Sequence, residues 1–259
     1  MEESAAAGAA EMLLAEHKAG TRFRTLAPPG GPATIADAYD IQDRYVALLR
    51  GEHGEAVGYK VGLTSAAMQT FCGIDHPIGG VVLARRVHRS GATVRRAGFG
   101  RLGLEFEIAV RLKSDVPCEP CTAATLAPHI DGVCAAIELV DDRSADYGNL
   151  DVLSLVADNS WNAGIVLSEF SSKWPDLEAV LGRASKDGAV FGEGHGRDIL
   201  GHPFNSAAWL ATQLASRGEG LKAGQVVMTG SVMKTVFPEA AASYSFELEG
   251  IGSVGVEVR

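Results

Sequence analysis

From Val57 to Arg259 the chain is a succession of short β-like runs punctuated by glycine, and no other feature limits its possible folds as strongly. GYKVGL, GGVVLARRV, ATVRRAG, LEFEIAVRL, CAAIELV, GIVLS, QVVMTG and SFELEGIGSVGVEV each read as a strand, because apolar runs this short, bounded by glycine, fit a pleated sheet better than a buried helix. Helical intervals fall near Ala66–Phe71, Ala123–Ile130 and Phe204–Ser216, the last with Ala208, Leu210, Ala211 and Leu214 as its apolar face. Regular strand–helix alternation is missing. The expectation is therefore an α+β fold whose mixed sheet is rolled or folded on itself into a barrel-like or sandwich body, rather than a doubly wound parallel sheet.

The first 50 residues have a different texture. Residues 4–18 are alanine-rich and predict an amphipathic helix with a frayed start. Leu26-Ala-Pro-Pro-Gly-Gly-Pro32 breaks it, and Thr34-Ile-Ala-Asp37 opens a second helix, with Ala38, Ile41, Tyr45 and Leu48 at three- and four-residue steps. The expected organisation is a helical cap over residues 1–50 on one compact body over 51–259. With 46% of 259 residues apolar, the chain can bury one sizeable core.

Charge narrows the function classes. Twenty-three basic against 32 acidic side chains give a net charge of −9, which repels nucleic acid and anionic lipid. No apolar run approaches the roughly 18–20 residues of a membrane helix, and Met1–Ala15 carries Glu2, Glu3 and Glu11 instead of a basic leader, so a cytoplasmic location is expected. Cys72, Cys118, Cys121 and Cys134 are too few and scattered for a disulfide framework and are expected to be reduced. Cys118-Glu-Pro-Cys121 has the spacing of a zinc half-site or a redox pair, but no second CxxC or HxxxH accompanies it, and a loop with two incidental thiols fits it as well.

Within Leu104-Glu105-Phe106-Glu107-Ile108, two acids interrupt an otherwise apolar strand. Side chains alternate along a strand, so Glu105 and Glu107 share a face, and two adjacent carboxylates there are costly unless a cation lies between them. An edge strand with a solvated face is the alternative. Cys134-Ala-Ala-Ile-Glu138-Leu-Val-Asp141 plants a third glutamate in an otherwise apolar strand, for which a structural ion pair with a nearby arginine such as Arg143 is the competing explanation. Three glutamates without a cysteine or histidine cluster describe an all-oxygen site of the kind that suits Mg²⁺ or Mn²⁺ and disfavours zinc.

Lys60 sits in the glycine-flanked run Gly58-Tyr-Lys60-Val-Gly62-Leu63-Thr64. Glycine lets a ligand approach the backbone. A lysine partly desolvated near a cation would have its pKa lowered toward the range useful for proton transfer, or would hold a substrate carboxylate as a point charge; a solvated edge lysine is the alternative. Ala157-Asp158-Asn159-Ser160-Trp161 places polar groups before a buried strand, where Asp158 and Asn159 either meet a ligand or organise the loop. His202 fits the start of a helix. Thr229-Gly230-Ser231 ends a strand and can bring N–H groups and a hydroxyl to a pocket mouth.

Taken in order, GYKVGLT, LEFEIAV, AAIELVDDR, ADN, GHP and VVMTGS resemble the 2-keto-4-pentenoate hydratase and 4-oxalocrotonate decarboxylase branch of the fumarylacetoacetate hydrolase superfamily, from about Ala36 to Arg259. The resemblance implies a mixed β-roll, Mg²⁺ or Mn²⁺ held by Glu105, Glu107 and Glu138, Lys60 as a catalytic group, and a homo-oligomer. Gly62, Leu63, Asp158, Trp161 and Ser231 are then the candidate substrate-binding residues. The implied substrate is a small 2-oxo or 2-hydroxydienoate acid from aromatic ring cleavage, and the implied reaction is hydration. Decarboxylation, acylpyruvate-type C–C hydrolysis and metal binding without catalysis follow as alternatives. Two departures bear on the substrate. Gly73-Ile-Asp-His-Pro77 is followed by Ile78, where such hydratases carry an acid, and Trp161 stands where a small polar residue is usual, which would make a pocket smaller and more apolar. Asp75, Asp141 and Asp142 are acids that could substitute.

Overall fold

The computed structural model describes residues 1–117 and 120–259. In chain order the elements are α1 (Glu3–Lys18), α2 (Ile35–His53), β1 (Ala56–Gly62), α3 (Ala66–Phe71), β2 (Ile78–Leu83), β3 (Val87–Arg89), β4 (Ala92–Val94), β5 (Leu102–Leu112), α4 (Ala123–Leu126), β6 (Ile130–Asp141), α5 (Val152–Ala157), β7 (Asn162–Leu167), β8 (Leu181–Lys186), β9 (Ala189–His195), α6 (Pro203–Ala215), β10 (Val226–Ser231), β11 (Ala242–Leu248) and β12 (Gly252–Val258). No helix among the described residues is long and apolar enough to cross a membrane.

Two mixed sheets carry the fold. One runs β2-β1-β10-β5-β6-β7-β3 and the other β4-β12-β11-β8-β9. The longest strands, β5 and β6, pair antiparallel over their whole length near the middle of the first sheet. They are apolar on both faces because both faces are buried. One face, including Phe106, Ile108, Ala135 and Ile137, packs against Tyr244, Phe246, Val254 and Val256 of the second sheet. The other lies inside a curl: Val82, Ala109, Ala136, Ile165 and Met228 form a single buried cluster although β2 and β7 stand far apart in strand order. The sheet thus rolls and is backed by a second sheet, as in the expected barrel-like or sandwich body, without closing into a barrel, since no backbone pairing among the described residues joins β2 to β7 or β3.

The helices follow from local chemistry. Thr34 caps α2 through the Asp37 N–H while the Asp37 carboxylate accepts from the Thr34 N–H. Ala6, Ala9, Ala10 and Leu13 of α1 pack with Ile41, Tyr45 and Leu49 of α2 and Leu83 of β2. His202 caps α6, its Nδ1 accepting from the Phe204 N–H at 3.0 Å, which is the helix-start reading of that residue. Two pieces lacked a sequence signal strong enough to be expected, α5 and the β8–β9 hairpin. The hairpin turns at Asp187-Gly188, both at positive φ, and an Asp-Gly pair is itself a hairpin signal. Cys72 and Cys134 are free thiols, whereas Cys121 is disulfide-bonded, against the expectation of a reduced thiol. Cys118 and Glu119 lie outside the described residues.

Candidate metal centre

Register brings the three glutamates together. Glu105 on β5 stands directly opposite Glu138 on β6, and Glu107 follows two residues on, on the same face inside the curl. One carboxylate oxygen from each lies within 4.8 Å of the others. Glu107 and Glu138 are fully buried. The edge-strand alternative fails, because β5 lies between β10 and β6. So does the Arg143 alternative, since Arg143 pairs with Asp158 at 2.7 Å and Glu16 at 3.3 Å.

Each carboxylate is held by one oxygen. Thr235 Oγ1 donates to Glu105 Oε1 at 2.6 Å, the Gly230 N–H donates to Glu107 Oε2 at 2.8 Å, and Asn162 Nδ2 donates to Glu138 Oε1 at 2.9 Å. Among the described residues, Glu107 Oε1 and Glu138 Oε2 are buried without a hydrogen-bond partner. Burial, then the charges of Glu138 and Glu105, push the Glu107 pKa well up; burial and Glu105 also raise that of Glu138, despite the opposing charge of Lys60. Three converging carboxylates, two of them with a buried oxygen that accepts no hydrogen bond, fit a hard divalent cation of the Mg²⁺, Mn²⁺ or Ca²⁺ kind, and a donor set without sulfur or imidazole does not fit zinc.

Lys60 completes the cluster. Its strand β1 lies between β2 and β10, so it is no edge lysine; it is 4% exposed. Nζ donates to the Ser160 carbonyl at 3.2 Å and lies 3.4 Å from Glu138 Oε2, an ion-pair distance without hydrogen-bond geometry. The lowering expected of the Lys60 pKa is that of a lysine beside a cation; toward the carboxylates alone the direction is upward. Burial alone would lower it, but the charges of Glu138, Glu105 and Glu107 outweigh burial and hold the ammonium form.

The loop from Asp158 to Asn162 supports both groups. Asn159, Ser160 and Trp161 are all left-handed, with φ of 50°, 49° and 59°. Such a run is strained for residues with a Cβ and persists only where surroundings dictate it. The Asn159 side chain accepts from the Val81 N–H and donates to the Val81 carbonyl, and Ser160 Oγ donates to the Gly79 carbonyl. Gly80 admits this close approach, since a Cβ there would stand 2.7 Å from the Asn159 carbonyl oxygen. Gly230, at φ 112°, is a second required glycine: a Cβ would fall 2.3 Å from Thr64 Oγ1, and its N–H holds Glu107.

A cavity of about 510 Å³ opens beside Glu105 and is lined also by Gly62, Leu63 and Ser231, three of the five candidate substrate-binding residues. A Cβ on Gly62 would lie 3.1 Å from Lys60 Nζ, so this glycine leaves room for the ammonium group. The Ser231 hydroxyl is engaged by the Phe106 backbone, accepting from its N–H and donating to its carbonyl. Asp158 and Trp161 do not line this cavity. They border a separate polar cavity with His17, Tyr45 and Arg86, and Asp158 is bound by Arg143 and by His17 at 2.6 Å. Trp161 packs edge-on to Tyr147, which lines the glutamate cavity, so it narrows nothing directly and stands one layer behind. Ile78 is buried in the adjoining apolar cluster. Asp142 is bound by Arg101 and by the Tyr147 hydroxyl, and Asp141 accepts three backbone N–H groups, so both acids are used structurally; Asp75 is exposed. Thr235 and Asn162 were not among the candidates. Asn162 was visible only as a second amide in Asp-Asn-Ser-Trp-Asn, and Thr235 carried no signal at all.

A rolled mixed sheet presenting three inward glutamates and a buried lysine defines the class. The chain belongs to the fumarylacetoacetate (FAA) hydrolase C-terminal family, whose profile matches residues 54–259. It is 37% identical over 238 residues to a 2-keto-4-pentenoate hydratase of Burkholderia vietnamiensis, spanning 89% of this chain and 90% of that protein. It is 31% identical to a 4-oxalocrotonate decarboxylase of Pseudomonas putida, over 85% of this chain and 84% of the other. Among solved structures, the 4-oxalocrotonate decarboxylase of Pseudomonas putida G7 complexed with magnesium and adipate superposes with a TM-score of 0.94 at 28% identity, covering 100% of this chain and 99% of that one.

Proposed function

We propose that the chain is a divalent-metal-dependent hydratase, using Mg²⁺ or Mn²⁺, that adds water to a 2-hydroxy-2,4-dienoate in the breakdown of aromatic ring-cleavage products. The observation that carries this reading is the meeting of Glu105, Glu107 and Glu138, of which Glu105 borders the cavity, with two buried carboxylate oxygens that accept no hydrogen bond and Lys60 beside them. Glu105, Glu107 and Glu138 are the residues that would hold the ion. When bound, it supplies Lewis acidity toward the carboxylate and C2 oxygen of a 2-oxo acid and stabilises enolate charge.

The chain's own groups then do the rest. Lys60 is the proton carrier: hydration moves a proton to C5 as the C2 hydroxyl becomes a ketone, and water adds at C4 with a proton to C3, so its position beside the carboxylate cluster suits the first transfer. Gly62 and Leu63 give the acid end of the substrate access to the backbone, and Ser231 fixes the wall across from them. The same proposal places the enzyme in the cytoplasm as a homo-oligomer without nucleic-acid or membrane partners, as the family resemblance and the charge of −9 support.

Incubating EDTA-stripped protein with 2-hydroxypenta-2,4-dienoate, with and without Mg²⁺, and following products by NMR tests this reading. Formation of 4-hydroxy-2-oxopentanoate only with metal is the expected result. The likeness over the full chain to the decarboxylase structure favours decarboxylation as the second reading. Release of CO₂ from 4-oxalocrotonate, with no hydration of the five-carbon dienoate, would replace the first reading by the second.

A further inference from the structure

We propose that the cavity beyond the glutamates selects 2-oxo acids with an apolar tail over those ending in a second carboxylate; this rests on the 2-oxo acid reading of the site. The argument begins with α3. None of its six residues is buried, yet it carries Met68 and Phe71, which are 38% and 54% exposed and line the cavity. A short helix that turns its two large apolar side chains to a cavity instead of a core leaves apolar surface for a ligand to cover.

The facing wall is of the same kind. Val232, Met233 and Phe237 line it, and methionine adapts to hydrocarbon shapes of varied width. Phe237 is set by Arg101, whose guanidinium carbon lies 4.5 Å from the ring centroid, and Arg101 is itself bound to Asp142, with Nε 2.8 Å from Oδ1. Asp142, which is buried, also accepts from the Tyr147 hydroxyl, at 3.2 Å, so one ion pair with a half-buried Arg101 holds both aromatic rings in the wall and engages the guanidinium there. A distal carboxylate would have Lys234 as its one cationic group among the described lining residues. Lys234 is exposed, and Asp198 lines the same cavity and would repel that carboxylate.

Unreactive saturated 2-oxo acids separate this selection from the chemistry. Kd is measured by isothermal titration with Mg²⁺ present for 2-oxobutanoate, 2-oxohexanoate, 2-oxooctanoate and 2-oxohexanedioate, on the wild type and on Phe71→Ser and Lys234→Ala. The expected result is tightening by about two- to fourfold per added methylene. 2-Oxohexanedioate should bind more weakly than 2-oxohexanoate, and Phe71→Ser should shrink the ratio between the longest and shortest acids. A flat series with measurable 2-oxobutanoate binding overturns the tail selection and leaves the proposed function standing. Tighter binding of 2-oxohexanedioate that is lost in Lys234→Ala overturns it likewise. Failure of every acid to bind overturns the function and the selection together.

Discussion

Asn162 Nδ2 donates a 2.9 Å hydrogen bond to Glu138 Oε1, and this single contact fixes which oxygen of a fully buried carboxylate remains to face Lys60 and the other glutamates. Asn162 thus acts on the cluster through Glu138 and is a positioning residue. Asn162→Ala should weaken Mg²⁺ binding by about 10- to 100-fold, the usual cost of losing a partner that orients a ligand. Isothermal titration checks it, and unchanged affinity would leave the amide a purely structural role.

Glu107→Gln keeps the shape of the side chain and removes a charge from the candidate centre. Thermal stabilisation by millimolar Mg²⁺ should disappear in this variant while the metal-free protein folds as before. The substitution should even raise the metal-free melting temperature, because folding then no longer has to protonate Glu107 or to bury it ionised beside Glu105 and Glu138. Retained stabilisation by Mg²⁺ would remove Glu107 from the centre.

Lys60→Met fills the same volume without the ammonium group. A fall in kcat of about 100-fold or more is expected for loss of a proton carrier, with Mg²⁺ affinity retained or improved as a positive charge leaves the cluster. Loss of Mg²⁺ binding alongside activity would point instead to a lysine that organises the carboxylates.

Metal affinity should rise with pH. Glu107 and Glu138 have pKa values above the ordinary 4.5, so over that range the folded metal-free protein holds protons that the unfolded chain has released. The metal-free protein therefore loses stability as pH climbs from that value, while a cation, which needs the deprotonated carboxylates, binds better. Titrations with Mg²⁺ at about pH 5.5 and about pH 8 should differ by at least about tenfold in Kd, with proton release at the lower pH. Equal affinities would mean that these carboxylates titrate in the ordinary range.

Arg143 is 2% exposed and joins Asp158, in the strained loop, to Glu16 of α1. Arg143→Ala takes the buried guanidinium from two carboxylates and should cost about 3 kcal/mol in urea unfolding. A loss under about 1 kcal/mol would show that His17 and Arg24 suffice for those acids.

The parts of this molecule legible in its sequence are those where a residue contradicts its surroundings. Glutamates in apolar strands and a lysine between glycines stood out because burying such groups is costly, and the fold brings them together. Thr235 had no such contrast: it is an unremarkable loop residue until the chain returns it to Glu105, 130 positions away. Asp158 and Trp161 looked like neighbours of the glutamate pocket, but in this left-handed segment it is the Ser160 carbonyl and the Asn162 amide that reach Lys60 and Glu138, while Asp158 and Trp161 border another cavity, which Asn162 also lines. The β8–β9 hairpin went unseen because LGRASK and AVFGEGH have too little apolar alternation to overcome their glycines. Closure of a barrel depends on backbone pairing at sheet edges, which side-chain patterns do not encode.

The seat of β10 between β1 and β5 bears on how the protein is made. Translation delivers Lys60 and all three glutamates well before Val226–Ser231, the strand that joins β1, with Lys60, to β5 and whose Gly230 N–H holds Glu107. A nascent chain still on the ribosome has every charged group of the centre but lacks the strand that sets Lys60 beside the glutamates. Any premature stop ahead of Ser231 should therefore abolish the centre outright, with no graded, partly active products along the way.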